Sequence, residues 1–270
     1  MSDPETITTA GLGEVSRRRA SPGQSPPGPA RCGYTVEGSG PLLVYIPGLD
    51  GTGELFFKQK PYLVESYRVA SIHLSDRGKF TYDDLTGDVA AVIRELGDER
   101  AIILGESFGG TIALSFALRY PGLIERLIVV NSFPRFRDRI RIRLAALLAP
   151  VVPFRATWFL RAAASTLGLF IDGVKGEDRR RFFKIIRSVS QEGYARRLQL
   201  IADLDIEERL SQIKVPTLLV AGDKDLLVPS VKEAKRMARQ MPNAEVRVVK
   251  GAGHACLLGN KLRVSDLLAR

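Results

Sequence analysis

Ala101-Ile102-Ile103-Leu104-Gly105-Glu106-Ser107-Phe108-Gly109-Gly110 is the stretch on which the reading of this 270-residue chain turns. Its first four residues are apolar throughout, the mark of a strand buried on both faces. From Gly110 to Arg119 small and apolar residues follow as a helix, and Pro121-Gly122 ends it. Between strand and helix, Gly105-x-Ser107-x-Gly109 makes a sharp reversal in which the backbone around Ser107 is crowded, and glycines at 105 and 109 leave room for it. The pattern predicts a serine hydroxyl raised at the carboxyl edge of a sheet, where a nucleophile is useful.

Working outward, short apolar runs at Leu42 to Ile46, Arg68 to Ile72, Leu127 to Val130, Thr217 to Ala221 and Val246 to Val249 alternate with helical patterns. Tyr82 to Leu96 and Ser230 to Met241 are such helices. Alternation of this kind predicts βαβ units and a mainly parallel sheet flanked by helices. It breaks once, between the strand near 127–131 and the strand near 217–221. An insertion that long needs structure of its own. Arg139 to Leu148, Thr157 to Leu169, Glu177 to Val189 and Tyr194 to Leu204 carry helical patterns, so a helical cap over 132–212 is expected inside a domain spanning 33–270. Residues 1–32 end in a Pro/Gly/Ser-rich stretch with almost no large apolar side chain, a composition that predicts a disordered tail.

A serine hydroxyl needs a positioned base. The chain has two histidines. His254 follows the last strand on Gly251-Ala252-Gly253, at the sheet edge where α/β sites form, and is the candidate base. His73 ends another strand and is read as a structural or pocket residue. The base needs a carboxylate to fix its tautomer. The strand ending at Ala221 runs into Gly222-Asp223-Lys224-Asp225, which offers Asp225 as the first choice and Asp223 as the alternative. An oxyanion would be held by the backbone N–H of Phe108 and by one from Pro47-Gly48-Leu49-Asp50-Gly51-Thr52-Gly53, either Leu49 or Asp50. That loop is not followed by Lys-Ser/Thr, so it is not a phosphate-binding loop of the Walker type.

The order Ser107, Asp225, His254, each at a strand end, resembles the α/β-hydrolase superfamily over about residues 33–270. The wording of the 43–53 loop and of Gly105 to Gly110 is similar to an esterase, lipase and thioesterase branch that includes the hydrolase part of plastid phytyl ester synthases. This resemblance implies attack of Ser107 on an ester or thioester carbonyl, with no metal or organic cofactor. It differs in two places: Pro47-Gly48 stands where many members have His-Gly, and the HxxxxD motif of an acyltransferase-like domain is missing, which favours hydrolysis over transfer to an alcohol. Acyl transfer with the same residues, and a non-catalytic binding role, are the rival readings.

Composition bounds the partners. The chain carries 40 Lys+Arg against 30 Asp+Glu, a net charge of +10. Between Phe133 and Arg209 there are 14 Arg and 2 Lys against 9 acids, so most of the excess sits in the cap. A cap mixing Arg with Leu, Val, Phe and Trp is expected to roof an apolar acyl pocket, with Trp158, Phe159 and Asp50 as pocket residues. Its basic surface would suit an anionic membrane or an acidic acyl carrier. Nucleic acid is not expected, because no recognition motif or stacking platform accompanies the charge. An acidic opening without an apolar core argues against a signal peptide. The two cysteines, Cys32 and Cys256, build neither a disulfide framework nor a metal site, which suits a cytoplasmic setting.

Overall fold

The computed structural model describes residues 32–153, 174 and 176–269. Seven strands, β1 (Gly33–Glu37), β2 (Leu42–Ile46), β3 (Arg68–His73), β4 (Ala101–Glu106), β5 (Ile124–Val130), β6 (Thr217–Gly222) and β7 (Ala244–Val249), form one sheet in the order β1-β3-β2-β4-β5-β6-β7. All neighbours run parallel except β1, which pairs antiparallel with β3 along the edge. The sequence reading lacks β1. Its residues, Gly-Tyr-Thr-Val-Glu, are half-buried or exposed, so the short edge strand has no apolar run to announce it.

The central strands have two buried faces because successive side chains point to opposite sides. Leu42, Val44, Ile46, Ile103, Leu127 and Leu219 face one side, beneath α1 (Tyr82–Glu95), α2 (Phe108–Arg119) and, later in the chain, α6 (Ser230–Ala238). Leu43, Tyr45, Ile102, Leu104, Ile128 and Val220 face the other, beneath Phe56, Leu63, Leu257 and Leu267. Helix α1 starts where Thr81 caps it. The Thr81 hydroxyl accepts from Asp84 N–H at 3.2 Å and the Asp84 carboxylate accepts from Thr81 N–H at 2.8 Å, a reciprocal box contributing about 1 kcal/mol.

The excursion between β5 and β6 contains α3 (Arg139–Leu148), α4 (Gly176–Arg187) and α5 (Gln191–Asp203). Helix α3 has the bounds its periodicity predicts. Its start is fixed by Asp138, whose carboxylate accepts from Arg141 N–H at 2.9 Å. At its other end, Gln191 Nε2 donates to the Ala149 carbonyl at 2.9 Å and the Val152 carbonyl at 3.1 Å, joining α3 to the start of α5. Trp158, Phe159 and the expected helix from Thr157 to Leu169 lie outside the described residues, as does the tail up to residue 31. Cys32 packs against the core at the start of the domain.

Candidate active site

Strand β4 and helix α2 meet at Ser107, whose φ of 54° and ψ of −117° are forbidding for a residue with a Cβ and cost about 1–3 kcal/mol. The surroundings explain why the turn holds. Ser107 N–H donates to the Val130 carbonyl at 2.9 Å. The two flanking glycines are required by close approach, since a Cβ on Gly105 would lie 2.3 Å from the Gly109 carbonyl oxygen and one on Gly109 2.1 Å from that of Ile46.

Ser107, His254 and Asp225 form one hydrogen-bonded line. Ser107 Oγ lies 2.9 Å from His254 Nε2, and His254 Nδ1 lies 2.7 Å from Asp225 Oδ2. Asp225 is itself fixed at four points: Oδ1 accepts from the N–H groups of Leu227 (2.9 Å) and Val228 (3.0 Å), while Oδ2 receives His254 and the Ser230 hydroxyl. Asp223, the alternative carboxylate, accepts from Gly251 N–H at 2.6 Å and braces the loop that carries His254. Of the two carboxylates, the structure brings Asp225 to the imidazole.

Electrostatics follow from this geometry. Burial by itself disfavours the charged imidazole of His254, but the charge and hydrogen bond of Asp225 outweigh it and the pKa is raised above its ordinary value. Burial likewise works against the Asp225 carboxylate, and His254, Ser230 and the loop N–H groups overcome it and hold its pKa below the usual range. Glu106, buried beside Ser107, is pushed up to about 7 by burial, against the downward pull of the Tyr45 hydroxyl that donates to it at 2.9 Å. Asp50 is raised by burial, opposed by the N–H and O–H of Thr52.

A cavity of about 260 Å³ opens on this line. The sheet side provides Gly48, Leu49, Asp50, Glu106, Ser107, Leu227 and His254, and α4, α5 and the turn between them roof it with Phe182, Ile186, Val189 and Tyr194. Asp50 lines this cavity. The 48–50 loop abuts the serine, since a Cβ on Gly48 would lie 3.5 Å from Ser107 Cβ. Phe108 is the first residue of α2, where the backbone N–H has no acceptor within the helix. His73 does not reach this cavity. It lines a separate cleft with Glu37, Lys60 and Arg181.

Two residues absent from the sequence reading hold the site together. Asn131, at φ 47° just past β5, donates to the carbonyls of His254 (2.6 Å) and Gly253 (3.1 Å) and accepts from Gly222 N–H at 2.8 Å. It therefore ties the ends of β5 and β6 to the histidine loop. Arg197 of α5 is fully buried. Its guanidinium donates to the carbonyls of Leu49 (3.0 Å), Asp50 (3.2 Å) and Ser75 (3.0 Å), and meets Asp76 at 3.2 Å. The fork thus fixes the loop opposite Ser107 from behind. Only glycine fits at position 51, at φ 70°, because a Cβ there would lie 2.5 Å from Arg197 Nη1.

Arg197→Met is expected to lower stability by about 1–3 kcal/mol, the penalty for leaving the partly buried carbonyls of Leu49, Asp50 and Ser75 without a donor, while the half-exposed Asp76 returns to water. Arg197→Lys should recover only part of it, since an ammonium cannot reproduce the planar fork. Urea unfolding of the three proteins measures both. Midpoints within experimental error of wild type would show that the 48–50 loop is not held this way.

Comparison with known proteins agrees with this architecture. Residues 41–260 match the family model for the alpha/beta hydrolase fold. Phytyl ester synthase 1, chloroplastic, of Arabidopsis thaliana is 29% identical over 268 residues, covering 89% of this chain. The chain spans 38% of that protein's length. The pimeloyl-[acyl-carrier protein] methyl ester esterase of Aliivibrio fischeri is 29% identical over 238 residues, covering 82% of this chain and 90% of that protein. Among solved structures, an esterase from Exiguobacterium antarcticum aligns with a TM-score of 0.76 at 22% identity, over 88% of this chain and 94% of that one. The enol-lactonase of Burkholderia xenovorans LB400 aligns with a TM-score of 0.73 at 24% identity, over 83% and 89%. At such identities the structural likeness speaks for the fold. With the family model covering residues 41–260 of its length, this chain belongs to the alpha/beta hydrolase fold family.

Proposed function

We propose that this chain is a serine hydrolase that cleaves a carboxylic ester or thioester with an apolar acyl group. The observation that carries the reading is the unbroken line Ser107–His254–Asp225 ending at the mouth of an apolar cavity. Ser107 Oγ attacks the acyl carbonyl while His254 Nε2 takes its proton, and Asp225 stabilises the imidazolium. The N–H groups of Leu49 and Phe108 receive the oxyanion. Collapse of the tetrahedral adduct breaks the bond to the alcohol or thiol, which leaves with the proton from His254. Water, deprotonated by the same imidazole, then attacks the acyl-enzyme and releases the acid.

The name of one relative, a methyl ester esterase, points the same way, whereas that of another, a phytyl ester synthase of which this chain spans only a part, names ester formation and keeps the transfer reading as the rival. The walls of the cavity are mainly apolar, with Leu49, Phe182, Ile186 and Leu258 among them, which favours an apolar acyl group. In a p-nitrophenyl ester series from acetate to palmitate, kcat/KM is expected to rise by about tenfold or more from acetate to hexanoate as methylene groups are buried, a difference of ~1.4 kcal/mol. A fluorophosphonate should label Ser107 stoichiometrically, read by peptide mass. Folded protein that hydrolyses no ester or thioester and takes up no phosphonate would sink the proposal.

A further inference from the structure

Helix α3 presents an apolar stripe to solvent. Ile140, Leu144 and Leu147 are 83%, 53% and 71% exposed, with Leu148 beside them and Val151 at 71% just beyond the helix end. The exposure does not come from a loose element. Ile142 and Ala146 are buried on the opposite side, and Asp138 and Gln191 fasten the two ends. At 3.6 residues per turn the stripe covers about 100° of the helix surface. Arg141 and Arg143 stand at its two borders, and no acidic residue occurs from 139 to 153. Of the cations just before the helix, Arg135 pairs with Asp205, and Arg137 with Glu207 and Glu233. Among the described residues, Arg141 and Arg143 form no ion pair.

We propose that this face of α3 docks the protein on an anionic lipid surface, with the helix lying in the plane of the interface. An apolar stripe bordered on both sides by arginines places aliphatic side chains among acyl chains and guanidinium groups among phosphates. Other occupants fit less well. A second copy meeting face to face about a two-fold axis would bring like-charged arginine borders together, and an acidic carrier protein would answer the arginines and leave the leucines in water. No helix among the described residues is long and apolar enough to cross a membrane, and α3, at ten residues, is about 15 Å long against the ~30 Å hydrocarbon core. The contact is therefore peripheral. It lies near the substrate site, because a cleft lined by Arg141 and Phe136 is closed on its other side by Leu227, which also lines the cavity at Ser107.

The test is co-sedimentation of the full chain with phosphatidylcholine vesicles and with equimolar phosphatidylcholine and phosphatidylglycerol. Wild type is expected to bind the anionic vesicles about tenfold more tightly, and less so as salt is raised. Leu144→Glu/Leu147→Glu and Arg141→Glu/Arg143→Glu should each lose about tenfold or more. Both should keep the wild-type melting temperature and the wild-type rate on a water-soluble short-chain ester. Vesicle binding equal in all three proteins would overturn the proposal. So would a dimer in light scattering that the leucine variant dissociates, capture of an acidic carrier lost only in the arginine variant, or a lowered melting temperature of the leucine variant, which would put the stripe under the protein's own chain. None of these outcomes depends on which ester is hydrolysed.

Discussion

Ser107→Ala and His254→Ala are each expected to lower kcat by on the order of 10⁴ to 10⁶, and the double variant to be no slower than either single one. That loss corresponds to about 5–8 kcal/mol of transition-state stabilisation. It is not additive because hydroxyl and imidazole work as one unit: without the base the hydroxyl is a weak nucleophile, and without the hydroxyl the base has nothing to activate. Steady-state rates on one ester, with the chosen acyl chain held constant, give the comparison. Two separable losses that multiply in the double variant would mean that the 2.9 Å contact between Ser107 and His254 is not the route of the proton. Wild-type activity should rise with pH, since only the neutral imidazole accepts a proton. Because Asp225 raises the pKa of His254, the rise is expected above the ordinary histidine value of about 6.5. The same shift makes the His254–Asp225 contact contribute stability that is complete below about pH 6.5 and is lost as pH climbs through the raised value.

Asp225→Asn should cost about 10⁴ in kcat with little change in fold. The structure says which way the amide will point. Oδ1 of Asp225 accepts two backbone N–H groups, from Leu227 and Val228, and an amide nitrogen cannot replace an acceptor there. The amide nitrogen is therefore forced towards His254 Nδ1, donates to it, and drives the ring proton to Nε2. That is the nitrogen that must be empty to accept from Ser107. The rising limb of the pH profile should also move to lower pH, since the charge that raised the imidazole is gone while its burial remains. A variant that keeps wild-type kcat, or one whose limb moves upward, would remove Asp225 from the role.

Much of this site is readable in the sequence because its chemistry is local. The turn at Ser107 is written in residues 105 to 110, the base in a glycine loop after a strand, and the carboxylate within a few residues of another strand end. Asp225 is the first choice over Asp223 at that level, but both carboxylates stay open there. They are separated only by which backbone groups each one meets, Gly251 for the first, Leu227 and Val228 for the second. Arg197 is invisible for a different reason. It reaches Leu49 across 148 positions, and in sequence it is one more arginine of a basic cap whose charges are mostly at the surface. Asn131 carries a weak signal, an amide just past a strand end where left-handed backbone is tolerated, but its partners near His254 lie 122 and 123 positions away. The edge strand β1 escapes because an exposed ribbon needs no apolar face.

All three residues of the Ser–His–Asp line come from loops after β4, β6 and β7, whereas the roof of the cavity comes from the excursion between β5 and β6. An engineer who exchanged that roof for a relative's would therefore be replacing the walls of the cavity while leaving the Ser–His–Asp line in place. Arg197 sets the limit of that modularity. It lies within the exchangeable segment, yet its fork grips the carbonyls of Leu49 and Asp50 on the sheet side. A chimera whose crossover point falls after Arg197 would carry over the new walls and lose the clamp, and one that retains α5 from Arg197 onward would inherit both.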